Sequence, residues 1–338
     1  MMSAKEKSPS LGKITPFDNV SLELEVRPGY ACNNNCVFCV NRRCHYKSFP
    51  LEVITGQITD WSRRGCKNLV ITGGDPLISP DFFKILNFAK ENGFKRIEIQ
   101  TNGRMLCYEE FVKKIMEVQP MRYEFFVSLH FSDKESHKKY TRADGFEQVI
   151  AGIKNLLKNN LSVSISTVVM KQNLDCLGDV TDLLRSMETR KLQLKQQFRQ
   201  IDGYSVREHF KDFVPQMSTV ARKIRKVIKD NCKDIRFVVN EIPLCILGKD
   251  MEGYMTTPTN PQRVNPMMES VVPSVRQGKF KLKSDFKIIA LSQMMKNMFV
   301  FSDRCAVCSC RAACKGIRRD YSEVYGFSEL RPIKGQRN

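Results

Sequence analysis

From Leu22 onward the chain alternates short runs of period-two apolar residues with longer runs of helical period, and the alternation continues to Phe198. That rhythm specifies parallel strands joined by crossover helices, since consecutive parallel strands need a long return connection. Leu22, Leu24 and Val26 alternate with Glu23 and Glu25, a strand pattern that ends at Pro28-Gly29. Leu51 to Arg64 reads as a helix, and Asn68 to Thr72 as a strand running into Gly73-Gly74. Ser79-Pro80-Asp81 predicts a helix start with an N-cap, an N1 proline and a first-turn acid, closed by Gly93. Further strands are expected at Lys95 to Gln100, Tyr123 to Leu129, Leu161 to Met170 and Lys191 to Phe198. Phe146, Val149, Ile150, Ile153, Leu156 and Leu157 mark one helical face between them. About six βα repeats predict an α/β fold, an incomplete parallel (β/α)6 TIM barrel.

The fifth strand is informative. Leu161, Val163, Ile165, Thr167 and Val169 alternate with Ser162, Ser164 and Ser166, so one face is apolar and the other hydroxylated. A parallel strand buried on both sides is apolar throughout, whereas an open barrel whose lumen holds a polar ligand permits this pattern. Four regions are expected: a loose arm over 1–20, the barrel over 21–200, a helical and strand bridge over 201–244, and a cysteine-rich extension over 245–338. In the bridge, Val220 to Lys229 predicts a helix with Arg222, Arg225, Lys226 and Lys229 on its solvated side, and 251–278 reads as a long irregular connection.

Composition bounds the setting. The 338 residues include 55 Lys and Arg against 36 Asp and Glu, a formal charge of +19, which favours acidic or phosphate-bearing partners. Thirteen cysteines, an odd number, argue against a complete disulfide framework. No secretory signal is visible near Met1, and no segment has the roughly 18 uninterrupted apolar residues of a membrane span. A reducing cytoplasm, where clustered thiols more often bind metal, is the expected location.

Cys32, Cys36 and Cys39 stand as Cys-Asn-Asn-Asn-Cys-Val-Phe-Cys after the first strand, at the end where active sites of parallel barrels gather. Three thiolates on one loop suit three irons of a cubane with the fourth iron open. Zinc is the rival, with Cys44 or His45 as the local fourth ligand.

CxxxCxxC with an aromatic before the last Cys, Gly73-Gly74-Asp75-Pro76 after the second strand and Thr101-Asn102-Gly103 after the third together resemble the radical S-adenosylmethionine (radical SAM) superfamily. Ser128-Leu129-His130, and Tyr140-Thr141-Arg142 ahead of Gly145-Phe146, extend the match, which spans about residues 20 to 200. The resemblance implies a 4Fe-4S cluster on Cys32, Cys36 and Cys39 whose open iron chelates S-adenosylmethionine. One electron then cleaves the sulfonium, and a 5'-deoxyadenosyl radical abstracts hydrogen from a substrate in the barrel mouth. It further implies cofactor contacts near Gly73, Gly74, Asp75, Thr101, Asn102 and Ser128, with Arg142 either pairing with the cofactor carboxylate or lying on the surface. The family usually has Glu where this chain has Asp75. His130 either lines the substrate pocket or packs.

Cys305, Cys308, Cys310 and Cys314 crowd the C-terminal segment, with Cys245 upstream. With Gly316, Tyr321, Tyr325 and Gly326 they resemble the auxiliary-cluster (SPASM or Twitch) extensions of radical SAM enzymes. That resemblance implies a second 4Fe-4S cluster on Cys245, Cys305, Cys308 and Cys314, leaving Cys310 spare; a zinc knuckle is the alternative. Three functions follow. The first is a radical SAM enzyme acting on a peptide, in ribosomal peptide maturation. The second acts on RNA or a nucleotide, favoured by 14 Lys and Arg against 5 Asp and Glu in 270–338. The third is a non-enzymatic iron-sulfur or zinc protein that binds nucleic acid. For the enzymes the expected partners are an acidic substrate and an electron donor such as flavodoxin or ferredoxin, with no membrane.

Overall fold

The computed structural model describes residues 23–45, 47–119, 121–187, 194–232, 235–255, 263–264 and 298–334. The expected N-terminal arm, residue 22 and residues 191–193 of two expected strands, and most of the irregular connection lie outside them.

One parallel sheet organises the chain. Its strands are β1 (Glu23–Val26), β2 (Asn68–Ile71), β3 (Arg96–Thr101), β4 (Arg122–Ser128), β5 (Ser162–Val169), β6 (Leu194–Gln200), β7 (Arg236–Asn240) and the two-residue β8 (Arg263–Val264). The order is β7-β6-β5-β4-β3-β2-β1-β8, so β1 to β7 follow one another across the sheet and the ends do not meet among the described residues. Each pairing is parallel. The sheet therefore runs past the six strands read from sequence: β7 lies in the stretch taken as a bridge, yet extends the barrel wall by pairing Arg199 with Asn240. The crossover helices are α1 (Leu51–Arg63), α2 (Phe82–Glu91), α3 (Glu109–Met116), α4 (Lys134–Thr141), α5 (Phe146–Lys158), α6 (Leu177–Arg185) and α7 (Met217–Asn231).

The start of α2 differs from expectation by two residues. The Asp75 carboxylate caps a single turn at Pro76–Ile78, which ends at Ser79, so α2 begins only at Phe82 with Asp81 at its N-cap. The Ser79 hydroxyl instead accepts from the Asp81 amide at 3.4 Å.

Apolar strand residues face outward onto the helices: Leu24, Val26, Leu69, Ile71, Ile97, Ile99, Phe125, Val127, Val163 and Ile165 are buried in one continuous core. Inward positions are mostly polar, with Val70 and Phe126 as apolar exceptions. Arg96 donates to Glu23 at 2.8 Å and to Glu124 at 2.6 Å, with Glu98 at 3.7 Å, and Lys195 reaches Glu124 at 3.5 Å. This ion network closes the lumen at the N-terminal ends of the strands, and a buried charge is tolerated there because each has opposite charges in reach.

A second apolar cluster fastens the C-terminal segment to the barrel, with Phe38, Phe131, Ile201, Phe210, Met217, Cys305, Ile317, Tyr321 and Leu330 among its members. The Tyr321 hydroxyl accepts from the Met217 amide at 2.9 Å and donates to Glu329, and the Tyr325 hydroxyl donates to the Val214 carbonyl at 2.9 Å. Both tyrosines thus pin the helix Arg319–Tyr325 against the start of α7.

Candidate functional site

The loop after β1 carries the first three cysteines, and its backbone is tied from two sides. On one side Gly74 and Asp75 donate to the carbonyls of Gly29 and Ala31 at 3.0 and 2.8 Å. A Cβ on residue 74 would sit 2.1 Å from the Ala31 oxygen, and one on residue 73 would sit 2.2 Å from the Gly29 oxygen. Gly73 also has φ of 129°, in the region only glycine adopts easily. The glycines are therefore required here by the cysteine loop itself, which packs directly on them. On the other side, the amides of Asn35 and Val37 donate to Thr141 and Tyr140 at 2.9 and 3.0 Å. The end of α4 supplies those carbonyls because Arg142 turns left-handed at φ 53° and terminates the helix.

The three thiols border one cavity of about 390 Å3, together with Gly73, Gly74, Thr101, Asn102, Ser128, His130 and Ser166. Burial pushes the Cys32 thiol up to about 11 and, with the neighbouring thiols of Cys39 and Cys32 adding to it, the Cys36 thiol up to about 12; burial also raises Cys39. Such thiols ionise when a cation arrives to share the charge. Donors already point at the sulfurs: the Asn34 amide to Cys32 at 3.4 Å, the Asn41 amide to Cys39 at 3.3 Å and Asn102 Nδ2 to Cys32 at 3.7 Å. His45 Nε2 lies 4.0 Å from Cys39 Sγ. Among the described residues no three His, Cys, Asp or Glu side chains close in on one point as they do around a single ion. Donor-rich thiols around an open cavity suit a multinuclear cluster, whose irons take thiolates at separate corners.

Asp75 behaves differently from its neighbours. Its carboxylate is buried and accepts from the Leu77 amide at 3.0 Å, the Thr101 hydroxyl at 2.8 Å and the Asn102 amide at 2.8 Å. It faces the β2 and β3 turns and is not part of the cavity wall. Thr101 and Asn102 are partly engaged too. The Thr101 hydroxyl accepts from the Gly103 amide at 3.0 Å, and Asn102 Nδ2 donates to Asn33 Oδ1 at 2.6 Å. Ser128 reaches the cavity from the end of β4. Arg142 stands apart, lining a neighbouring outer cleft of about 890 Å3 with Arg42, Tyr204, Arg207 and Glu208; the two spaces share Cys39, Val40 and Asp202. His130 does line the cavity. Its Nδ1 accepts from the Val168 amide at 3.1 Å, which leaves the ring proton on Nε2, and burial pushes its pKa down to about 3.

Sequence reasoning missed Arg104. Its guanidinium donates to the Asn33 carbonyl at 2.5 Å, to Asn34 Oδ1 at 3.1 Å and to Gln148 Oε1 at 2.7 Å. The asparagine run 33–35 was the available signal, since short amides are the side chains that bond to nearby main chain and arginine.

In the C-terminal segment Cys245, at the start of a short turn of helix, has its thiol raised by burial and then by the nearby sulfurs of Cys314, Cys308 and Cys305. Cys314 is raised the same way, with Cys305 and Cys308 as its sulfur neighbours. Cys310 is absent from both sets and lies 3.9 Å from the Ser309 hydroxyl.

With this geometry in place, comparison with known proteins is direct. Residues 26–184 match the model of the Radical SAM superfamily. Those residues form a radical SAM domain. Among curated proteins the chain is 31% identical over 162 residues to the AdoMet-dependent heme synthase of Methanosarcina barkeri, which covers 46% of this chain and 45% of that one. It is 28% identical over 232 residues to a probable GTP 3',8-cyclase of Methanocaldococcus jannaschii, covering 65% of this chain and 72% of that one. The chain spans about half the length of the first curated relatives it matches. Among solved structures, anSMEcpe with bound AdoMet and the Cp18Cys peptide superposes with a TM-score of 0.63 at 17% identity over 93% of both chains. SuiB of Streptococcus suis bound to S-adenosylmethionine superposes with a TM-score of 0.61 at 15% identity, covering 94% of this chain and 76% of SuiB. The shared fold thus includes the C-terminal region beyond the radical SAM domain. No helix among the described residues is long and apolar enough to cross a membrane.

Proposed function

We propose that this chain is a radical SAM enzyme that acts on a peptide. The observation that carries the reading is the convergence of the Cys32, Cys36 and Cys39 thiols on one cavity with Gly73, Gly74, Thr101, Asn102 and Ser128. These cysteines hold the 4Fe-4S cluster in this reading. When bound, the cluster supplies the electron that cleaves S-adenosylmethionine and so provides a 5'-deoxyadenosyl radical. The chain's own residues then do three things. Asn34, Asn41 and Asn102 donate to the cysteine sulfurs and favour the thiolate form. The main chain at Gly73 and Gly74, with the Ser128 hydroxyl, offers polar contacts for the cofactor's amino acid and ribose. The ion network around Arg96 seals the lumen floor, so the substrate enters from the cysteine-loop side.

Cys245, Cys305, Cys308 and Cys314 hold a second 4Fe-4S cluster in the same reading, with an electron donor of the flavodoxin or ferredoxin class. Peptide as substrate is supported by the folds aligned over nearly the whole chain, whose structures include a complex of SuiB with the precursor peptide SuiA. A nucleotide substrate is the second reading, supported by the similarity to probable GTP 3',8-cyclases.

Anaerobic reconstitution with dithionite and S-adenosylmethionine tests the enzyme reading: 5'-deoxyadenosine is expected, and Cys36→Ala is expected to abolish it. No cleavage by fully reconstituted protein overturns it. Enhanced cleavage with GTP and none with any peptide from the neighbouring genes favours the second substrate.

A further inference from the structure

The cavity wall formed by the ends of β6 and β7 is charged, and one of its cations, the exposed guanidinium of Arg199, has no ion pair among the described residues. Arg199, Asp202, Glu241 and Arg318 line the same space as the three cysteines. Arg318 is only 4% exposed and is fully occupied, with Asp202 at 3.0 Å, Asp320 at 3.1 Å and Glu241 at 3.9 Å. Arg199 is next to last in β6, in register with Val168 and Asn240, and its guanidinium makes no hydrogen bond or ion pair among the described residues. A second cation, Lys315, lies close enough to interact with both Arg199 and Glu241. An exposed guanidinium without an ion pair, on the wall of a concave site, can receive an anion.

Glu241 adds a second observation. It is a non-glycine residue with φ of 66°, a costly conformation that persists where surrounding structure enforces it and that concentrates at functional sites. The turn after β7 thereby delivers a carboxylate to the cavity alongside Arg199. Asp320 accepts from both the Arg318 guanidinium and the Tyr321 amide, and Asp202 pairs with Arg318 as well, so Arg318 is matched. Arg199 remains a single positive charge with no ion pair among the described residues; one carboxylate matches it, whereas a phosphate dianion overshoots it.

We infer that Arg199 is a specificity residue that receives a carboxylate of the substrate, an acidic side chain or a C-terminus of the peptide. The inference rests on the peptide reading and sharpens it.

The test uses the full-length reconstituted protein under anaerobic conditions and reads arginine modification by phenylglyoxal, mapped by mass spectrometry. The probes are a blocked hexapeptide with one central Glu, its Gln isostere, and its phosphoserine counterpart, together with acetate, inorganic phosphate and S-adenosylmethionine at matched ionic strength. The Glu peptide is expected to protect Arg199 at a concentration at least about tenfold below that of the Gln peptide, the loss typical of one charge-assisted contact. Arg207 in the outer cleft is expected to stay reactive throughout. In fluorescence anisotropy, Arg199→Gln is expected to erase the preference for Glu over Gln, and Arg199→Lys to retain part of it. Equal protection by the two peptides, a preference that survives Arg199→Gln, protection by S-adenosylmethionine alone, or stronger protection by phosphate each overturns the inference. If no peptide protects but acetate does, the carboxylate site stands and the peptide reading falls; if neither protects, the inference falls by itself.

Discussion

Arg104 and Asn33 are joined by a 2.5 Å hydrogen bond from guanidinium to carbonyl, spanning 71 positions of sequence between the turn after β3 and the cysteine loop. With its further bonds to Asn34 and Gln148, this one side chain clamps the loop beside Cys32 to α5. Arg104→Ala is expected to cost about 2 kcal/mol of stability, as charged hydrogen bonds do, and to speed iron loss to a chelator. Iron release followed optically at the cluster band checks it; an unchanged rate would sink the clamp.

Asp75 governs a second outcome. Its carboxylate serves the amides of Leu77 and Asn102 and the Thr101 hydroxyl, away from the cavity. Asp75→Ala leaves those buried donors unmet and is expected to cost roughly 3 kcal/mol or more. Asp75→Glu is expected to lower the urea midpoint without tightening S-adenosylmethionine binding in equilibrium dialysis. Tighter binding by the Glu variant would show that the carboxylate does reach the cofactor.

Much of this was legible in the residues. The CxxxCxxC spacing, the two glycines and the serine stripe of β5 all announced a ligand-bearing lumen, because each breaks a rule that an ordinary packed barrel obeys. The β1 alternation was read only as a strand, yet Glu23 and Glu25 already said that the inward face is polar. Arg104 and the Arg96 network were hidden because long-range partners leave no periodic trace. A strand was expected in the bridge, but its place in the barrel sheet was not, because pairing with β6 is a long-range relation that leaves no mark in the local pattern of 236–240. Arg142, expected either to pair with the cofactor carboxylate or to lie on the surface, lines the outer cleft, and the main chain of Tyr140 and Thr141 beside it holds the cysteine loop.

Acid sensitivity should trace to two histidines. His130 and His137 are buried, and burial pushes their pKa values down to about 3 and about 4, below the ordinary 6.5. The unfolded chain therefore binds more protons between those values and 6.5, so stability is full above about pH 6.5 and falls as pH drops toward 4. The His137 ring nitrogens have no hydrogen-bond partner among the described residues. Urea unfolding at pH 7.5 and 5.0 is expected to show a smaller loss in His137→Phe than in the parent chain. An equal loss in both would assign the sensitivity elsewhere.

The spare cysteine offers a clean count. Two cubanes predict about eight irons per chain. Cys310→Ala is expected to keep all of them, whereas Cys245→Ala and Cys305→Ala should each retain about four. Iron assay with Mössbauer spectroscopy decides the matter, and a full complement in Cys245→Ala, or zinc in place of half the iron, would overturn the ligand set.

The cysteine loop hangs from α4 through the carbonyls of Tyr140 and Thr141, groups that every residue type possesses. The attachment is thus indifferent to side-chain identity but intolerant of fraying. If the last turn of α4 opens, Asn35 and Val37 lose their acceptors in the same event. Helix unwinding and release of this side of the cysteine loop are consequently coupled, and amide exchange at those two positions would report both.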